Sequence, residues 1–299
     1  MAEKLRFMGD LSMVIEPDHQ ALDILEKVNL CNSKEPHKEQ PNKLMFAKAG
    51  RAELAAMCGL IKTVRPKKIV ELGVAAGGTS SVIMNAVDRL GYEADLYCID
   101  AATTCYWDHT KEVGFVTEMA NQYLKGYCKL HLMAGKTLNQ VIGMIGNAID
   151  LIILDTSHTI PGELLDYLVV FPYLADESFV IIDDLFTPLI HQLPPYNSET
   201  AHLQIAPRLL YSSVCGEKVY IKGNKSEIFQ YGIKKIDKKN ISQLVAISEL
   251  LLLPWHSQIG LKGVKDYSEI LQKHYSADVT DNFWLALKLN QKLHRGNDR

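Results

Sequence analysis

A doubly wound α/β domain on a mostly parallel sheet is the fold this 299-residue sequence predicts. Five short apolar runs rich in β-branched residues alternate with stretches of helical apolar spacing, the pattern of strands covered on both faces by crossover helices. The first run leads into a glycine turn and a helix start, KKIVELGVAAGGTSS at residues 67–81. Four of the runs end in acids: Glu71, Asp100, Asp155 and the pair Asp183, Asp184.

The elements follow in order. Residues 21–28 have helical spacing and precede a polar stretch, CNSKEPHKEQPNK, with Pro36 and Pro41. Residues 1–46 therefore read as a helical arm with a segment that serves as a lid, an oligomer contact or a loose tail. Leu54, Met57, Leu60 and Ile61 mark a helix within 47–64, and Pro66 punctuates the entry to the first strand. Strands are expected at 67–71, 95–100, 128–133, 150–155 and 178–184, with helices at 80–89, 112–124, 138–145 and 163–170 between them. After Asp184 the pattern changes to a helix at 203–211 and two short strands, 218–221 and 227–233, joined as a hairpin through Gly223 and Asn224. Helical spacing returns at 241–252, 269–274 and 282–292. The chain thus divides into an arm (1–46), a ligand-binding α/β domain (47–235) and a helical extension (236–299).

Composition bounds the function classes. With 47% hydrophobic and 22% charged residues, the chain is an ordinary globular protein able to bury a full core. Its 32 basic and 35 acidic residues leave a net charge of −3, which removes the electrostatic case for nucleic acid as a main partner. The six cysteines form no CxxC pair, so neither a zinc knuckle nor a disulfide framework is expected. The opening MAEKLRFMGD has no signal-peptide core, and no apolar run approaches the ~18 residues of a membrane helix. A cytoplasmic protein without a membrane partner is expected.

In an open α/β sheet, ligands lie outside the carboxyl ends of the strands, so the four acidic strand ends converge on one crevice. The glycine turn lets a ligand approach the backbone and the free N–H groups of a helix start. Asp100, at the end of the next strand, can accept both hydroxyls of a ribose. Glu71 at the turn would repel a pyrophosphate, which speaks against a dinucleotide. Asp155, Asp183 and Asp184 would repel one another unless a cation neutralised them, and an oxygen-only set suits magnesium or another hard divalent ion. His158, three residues after Asp155, could face the same ion and a substrate hydroxyl.

The blocks ELGVAAGGTS, CID, DTSHTIPGELLDY and VIIDD together resemble the class I S-adenosylmethionine-dependent methyltransferases. More narrowly, they resemble the metal-dependent O-methyltransferases of macrolide and aminocoumarin sugars, over about residues 47–235. That family's Asp, a His three residues on and a second Asp eight further on are matched by Asp155, His158 and Asp166. The resemblance implies a seven-stranded Rossmann-like methyltransferase fold. It places Glu71, Gly73, Gly77, Thr79 and Ser80 around the cofactor's methionine part and Asp100 on its ribose. Asp155, Asp183 and Asp184 become magnesium ligands, and His158, with Asp155, becomes the catalytic base. One departure stands near the adenine, where Gly135, Lys136 and Thr137 replace the family's frequent Gly-Asp-Ser. The activity implied is transfer of a methyl group to a hydroxyl of a sugar or catechol-like small molecule. The alternatives are an S-adenosylmethionine-binding protein without catalysis, or an NAD-linked oxidoreductase, which lacks its second turn glycine here.

Overall fold

The computed structural model describes residues 13–28, 30–31, 44–45, 50–194, 197–222 and 229–297. Seven strands make the central sheet: β1 (Lys68–Leu72), β2 (Ala94–Asp100), β3 (Cys128–Ala134), β4 (Ile149–Leu154), β5 (Leu174–Ile182), β6 (Gly216–Lys218) and β7 (Gly232–Ile236). Their order is β6-β7-β5-β4-β1-β2-β3. The first five strands run parallel, while β7 is antiparallel to both β5 and β6. The expected doubly wound, mostly parallel sheet is borne out. Its order reverses between β1 and β4, and that switch point opens the crevice in which such folds hold ligands.

Alternation along the strands builds two cores. Successive residues point to opposite faces, so Ile69, Leu151, Ile153 and Ile181 join one buried cluster and Val70, Ile152, Leu154 and Ile182 the other. Helices α1 (Arg51–Val64) and α2 (Gly78–Leu90) supply the first cluster. Helices α4 (Leu138–Ile145) and α5 (Gly162–Val170), following α3 (Phe115–Asn121), supply the second. The N-terminal segment docks on the first face. Its helix Asp23–Lys27 buries Ile24 and Leu25 there, and Val14–Ile15 pairs in parallel with Tyr220–Ile221. The remainder of the expected lid, residues 32–43, lies outside the described residues.

Beyond β5 come α6 (Ala206–Ser213), then α7 (Ser242–Leu250), α8 (Leu261–His274) and α9 (Ala277–Asn297). Leu271 of α8 and Phe283 of α9 enter the same cluster as Tyr167 and Leu168 of α5, so the helical extension shares the second core. The Tyr275 hydroxyl donates to the Leu168 carbonyl at 2.5 Å and ties the extension to α5. Among the described residues, no helix is long and apolar enough to cross a membrane.

Several expected elements differ, among them the helix expected at 269–274, which begins at Leu261. The helix expected at 112–124 begins only at Phe115, because Gly114 (φ +77°) turns the chain there and Asp108–Glu112 instead pairs with Thr104–Cys105. The strands expected at 218–221 and 227–233 are found at Gly216–Lys218 and Gly232–Ile236, antiparallel with Lys218 opposite Lys234, while Tyr220 and Ile221 pair with the distant N-terminal strand Val14–Ile15. The expected hairpin turn, Gly223 and Asn224, lies outside the described residues.

Candidate active site

β1 ends beside β4, and the close approach there explains the first glycine of the turn. Gly73 has φ +86°, and a Cβ built on it would stand 1.7 Å from the Asp155 carbonyl oxygen. The loop is then pinned by Asp100. One carboxylate oxygen accepts the N–H groups of Val74 (3.0 Å) and Ala75 (2.9 Å), and the other accepts that of Ala102 (2.8 Å). Asp100 also lines the crevice, so it shapes the loop whether or not it meets a ribose. Asp100→Asn points an amide N–H₂ at one of these donors. We expect it to cost roughly 1.5–3 kcal/mol, read by urea unfolding; a change under about 0.5 kcal/mol would mean the loop does not depend on these bonds.

The crevice is a cavity of about 950 Å³ that runs from this loop to the acidic strand ends. Gly73, Thr79 and Asp100 line its glycine end together with Tyr106, Trp107 and Lys136. The other expected cofactor residues stand behind that wall. Gly77 packs against Thr117 and Gly114. Ser80 donates its hydroxyl to Glu71 at 2.6 Å, and both are fully buried, with the Cys98 thiol donating to the same carboxyl oxygen at 3.3 Å.

Burial pushes the Glu71 carboxyl up to about 8, against the Ser80 and Cys98 hydrogen bonds that favour its charged form. Below its ordinary value of 4.5 both the folded and the unfolded chain hold the proton, and the stabilising contribution of Glu71 is fully present. As pH rises the unfolded chain releases the proton first, so that contribution is lost progressively until pH passes about 8. Stability should therefore fall between about pH 5 and pH 8.5 by a few kcal/mol, at roughly 1.4 kcal/mol for each pH unit separating the two titrations. Glu71→Gln should flatten that decline in urea melts at the two pH values; an unchanged decline would assign it to other groups.

At the far end, the strand ends deliver their acids as the chain leaves the sheet. β5 stops at Ile182, and the left-handed conformation of Asp184 (φ +57°) turns its side chain into the crevice. His158 is also left-handed (φ +55°). Its Nε2 lies 3.1 Å from Asp184 Oδ2 and 3.5 Å from Asp155 Oδ1, and its Nδ1 lies 3.2 Å from Glu163 Oε1. Burial works against a charged ring, but the hydrogen bond and charge of Glu163, then the charges of Asp155 and Asp184, outweigh it and hold His158 up at about 10.

Asp155, His158 and Asp184 are, among the described residues, the group whose ligand atoms all lie within 4.8 Å of one another. Two carboxylates and an imidazole suit a divalent cation, so the residues fit the metal that the resemblance implies. Asp183, the third ligand expected from the sequence, lines the same cavity but is not within that 4.8 Å group. It is buried, and its Oδ1 accepts the Asp184 N–H at 2.6 Å. Burial, then the neighbouring charges of Asp155 and Asp184, push its carboxyl well above the usual range.

Several contributors carry little signal in the sequence. Glu163, fully buried in the first turn of α5, holds the back of the His158 ring; its visible sign is that it and Asp166 are acids in the mostly apolar run PGELLDYLVV. Asp166 lines the cavity, accepts from the Thr156 hydroxyl at 3.1 Å, and is pushed up to about 7 by burial. Tyr267 reaches the cavity from α8, which no local pattern could announce. His191 lines the pocket as well, while the Phe186 ring lies under the Arg208 guanidinium.

A family model described as a methyltransferase domain matches residues 70–185, from β1 to just past β5 and well under half of the chain. The SAH-bound methyltransferase PaMTH1 of Podospora anserina is 12% identical, over 73% of this chain and 88% of its own, with a TM-score of 0.46. The SAM-bound O-methyltransferase TomG of Streptomyces achromogenes is 12% identical over 74% and 92%, with a TM-score of 0.43. An O-methyltransferase of Bacillus cereus in complex with SAH is 14% identical over 71% and 88%, with a TM-score of 0.42. No curated protein matches the chain. Residues 70–185 are thus similar to a methyltransferase domain, the resemblance the glycine and acidic motifs led one to expect, and the chemistry has to be read from this chain's own residues.

Proposed function

We propose that this domain moves the methyl group of S-adenosylmethionine to a hydroxyl oxygen of a small molecule, with the help of a divalent cation. The observation that carries the reading is one continuous cavity, about 950 Å³, that joins the glycine turn to the Asp155–His158–Asp184 cluster. That volume is ample for a nucleoside-sized cofactor and a small acceptor together. When bound, the cofactor supplies an electrophilic methyl group, and the cation lowers the pKa of the acceptor hydroxyl.

The chain's own residues supply position. The first turn of α2 offers the N–H groups at Gly78 and Thr79 to the cavity, and Asp100 keeps the loop beside them in register. Tyr106 and Trp107, edge to face at 4.5 Å between ring centroids, flank the glycine end and offer aromatic surface to an adenine. Asp155 and Asp184 would hold the cation at the opposite end, where the acceptor oxygen must lie for in-line transfer. Tyr267 and Asp166 line the same cavity. Orientation of two bound reactants supplies much of the rate. A vicinal diol or sugar suits such a site, because two neighbouring oxygens can share one cation.

Calorimetry with S-adenosylmethionine, S-adenosylhomocysteine and NAD, with and without divalent cation, tests the reading. Binding of both sulfur compounds and not NAD is expected. Failure of both to bind would end the proposal, and binding without methyl transfer to any diol or catechol would leave a binding protein instead.

A further inference from the structure

We propose that His158 is a ligand of the divalent cation and not a free base: its Nε2, with Asp155 and Asp184, makes a one-nitrogen, two-carboxylate site that favours a transition-metal ion such as Mn²⁺ over Mg²⁺, and Glu163 is the positioning residue that aims it. The inference rests on the cation-assisted reading of this cavity and sharpens it.

Four observations converge. Ligand atoms about 2.1 Å from a common ion and 90–110° apart stand roughly 3.0–3.4 Å from one another. The 3.1 Å separation of His158 Nε2 from Asp184 falls within that spacing, and the 3.5 Å separation from Asp155 is about 0.1 Å beyond it. Second, Nδ1 is committed to Glu163 at 3.2 Å. An imidazole whose Nδ1–H donates to a carboxylate turns Nε2 toward Asp155 and Asp184, where a cation would take the place of the Nε2 proton, the arrangement that ordinarily stands behind a ligating histidine. Third, Glu163 is wholly buried, with its second oxygen unpartnered, so its placement serves the ring and not solvent. Fourth, Asp183, the third carboxylate the sequence offers, is outside the cluster, with one oxygen taken by the Asp184 N–H. Replacing that carboxylate by imidazole moves the donor set from hard oxygen toward the borderline ligands that Mn²⁺, Co²⁺ and Zn²⁺ accept more readily than Mg²⁺ does.

The test is electron paramagnetic resonance of Mn²⁺ added to the purified chain without acceptor, including pulsed detection of ¹⁴N coupling, with S-adenosylhomocysteine calorimetry on the same samples. One Mn²⁺ with a bound nitrogen is expected, displaced by Mg²⁺ only at about tenfold or greater excess. His158→Ala should abolish the nitrogen coupling and weaken Mn²⁺ binding at least tenfold. Glu163→Gln should weaken it about tenfold, the usual effect of losing an orienting partner, and Asp183→Asn should change it less than threefold. Mn²⁺ bound without nitrogen coupling, no Mn²⁺ binding at all, or loss of binding in Asp183→Asn but not in His158→Ala would each overturn the assignment. Retained S-adenosylhomocysteine binding shows that the variants are folded. It also separates the two claims: a sample that binds the nucleoside but not Mn²⁺ refutes the metal site alone, and one that binds Mn²⁺ but no nucleoside refutes the methyl-transfer reading.

Discussion

Gly73→Ala is expected to destabilise the chain by about 3–5 kcal/mol, the combined cost of a left-handed non-glycine residue and an overpacked contact. The added Cβ would meet the Asp155 carbonyl oxygen at 1.7 Å and its carbon at 2.7 Å. Both are backbone atoms held on either side. Asp155 donates its N–H to Leu72 at 3.0 Å, and Gly73 donates to Ile99 at 2.9 Å, so neither can move without breaking the sheet where β1, β2 and β4 end. The same displacement would carry Asp155 away from His158, so S-adenosylhomocysteine binding and cation binding should both suffer. Gly91→Ala is the control. It shares a positive φ (+63°) but would meet nothing within 4 Å, and about 1–2 kcal/mol is expected from backbone conformation alone. If urea unfolding ranks the two variants equally, the close approach at Gly73 is not what requires glycine.

Asp184→Asn should reduce methyl transfer to whatever hydroxyl acceptor the wild type uses by roughly 10²–10³-fold, within the range for losing a proton-transfer or charge-stabilising group. The nucleoside affinity should change less than about twofold. The asymmetry follows from the cavity's length. Asp184 stands at the acidic end, 3.1 Å from His158, while the loop that Asp100 organises lies at the other. Asp155→Asn should behave similarly on transfer, since its carboxylate lies 3.5 Å from the same ring nitrogen. Radiolabelled methyl transfer beside calorimetry measures both quantities. Loss of nucleoside binding in Asp184→Asn would show that the two ends are not separate, and unchanged transfer would remove the cluster from the chemistry.

Much of this site is legible in the residues alone. The strands at residues 95–100, 150–155 and 178–184 can be bounded to within a few residues because apolar, β-branched runs between polar breaks have few other ways to bury themselves. Helix Leu138–Ile145 is legible for a similar reason, its amphipathic pattern opening on a capping box at Thr137 and Gln140. The extra strand Asp108–Glu112 is not, because DHTKE has no apolar alternation and is exposed. Nor is the pairing of Tyr220–Ile221, because its partner, Val14–Ile15, comes from the far end of the chain.

What the sequence by itself determined is the list of acids at one sheet edge. Parallel strands joined by crossovers bring all their carboxyl ends to the same side, so Glu71, Asp100, Asp155, Asp183 and Asp184 had to be neighbours of one crevice or of its wall. Which of them face the ligand was decided only in three dimensions. Glu71 turned inward to Ser80 and Cys98, Asp183 turned to its neighbour's amide, and Asp184 entered the crevice through a left-handed backbone. Glu163 and Tyr267 joined from helices whose local patterns only say that they are buried or amphipathic. A strand's period tells which residues share a face, but the last residue before a turn is released from that period, and its direction is set by the packing around it.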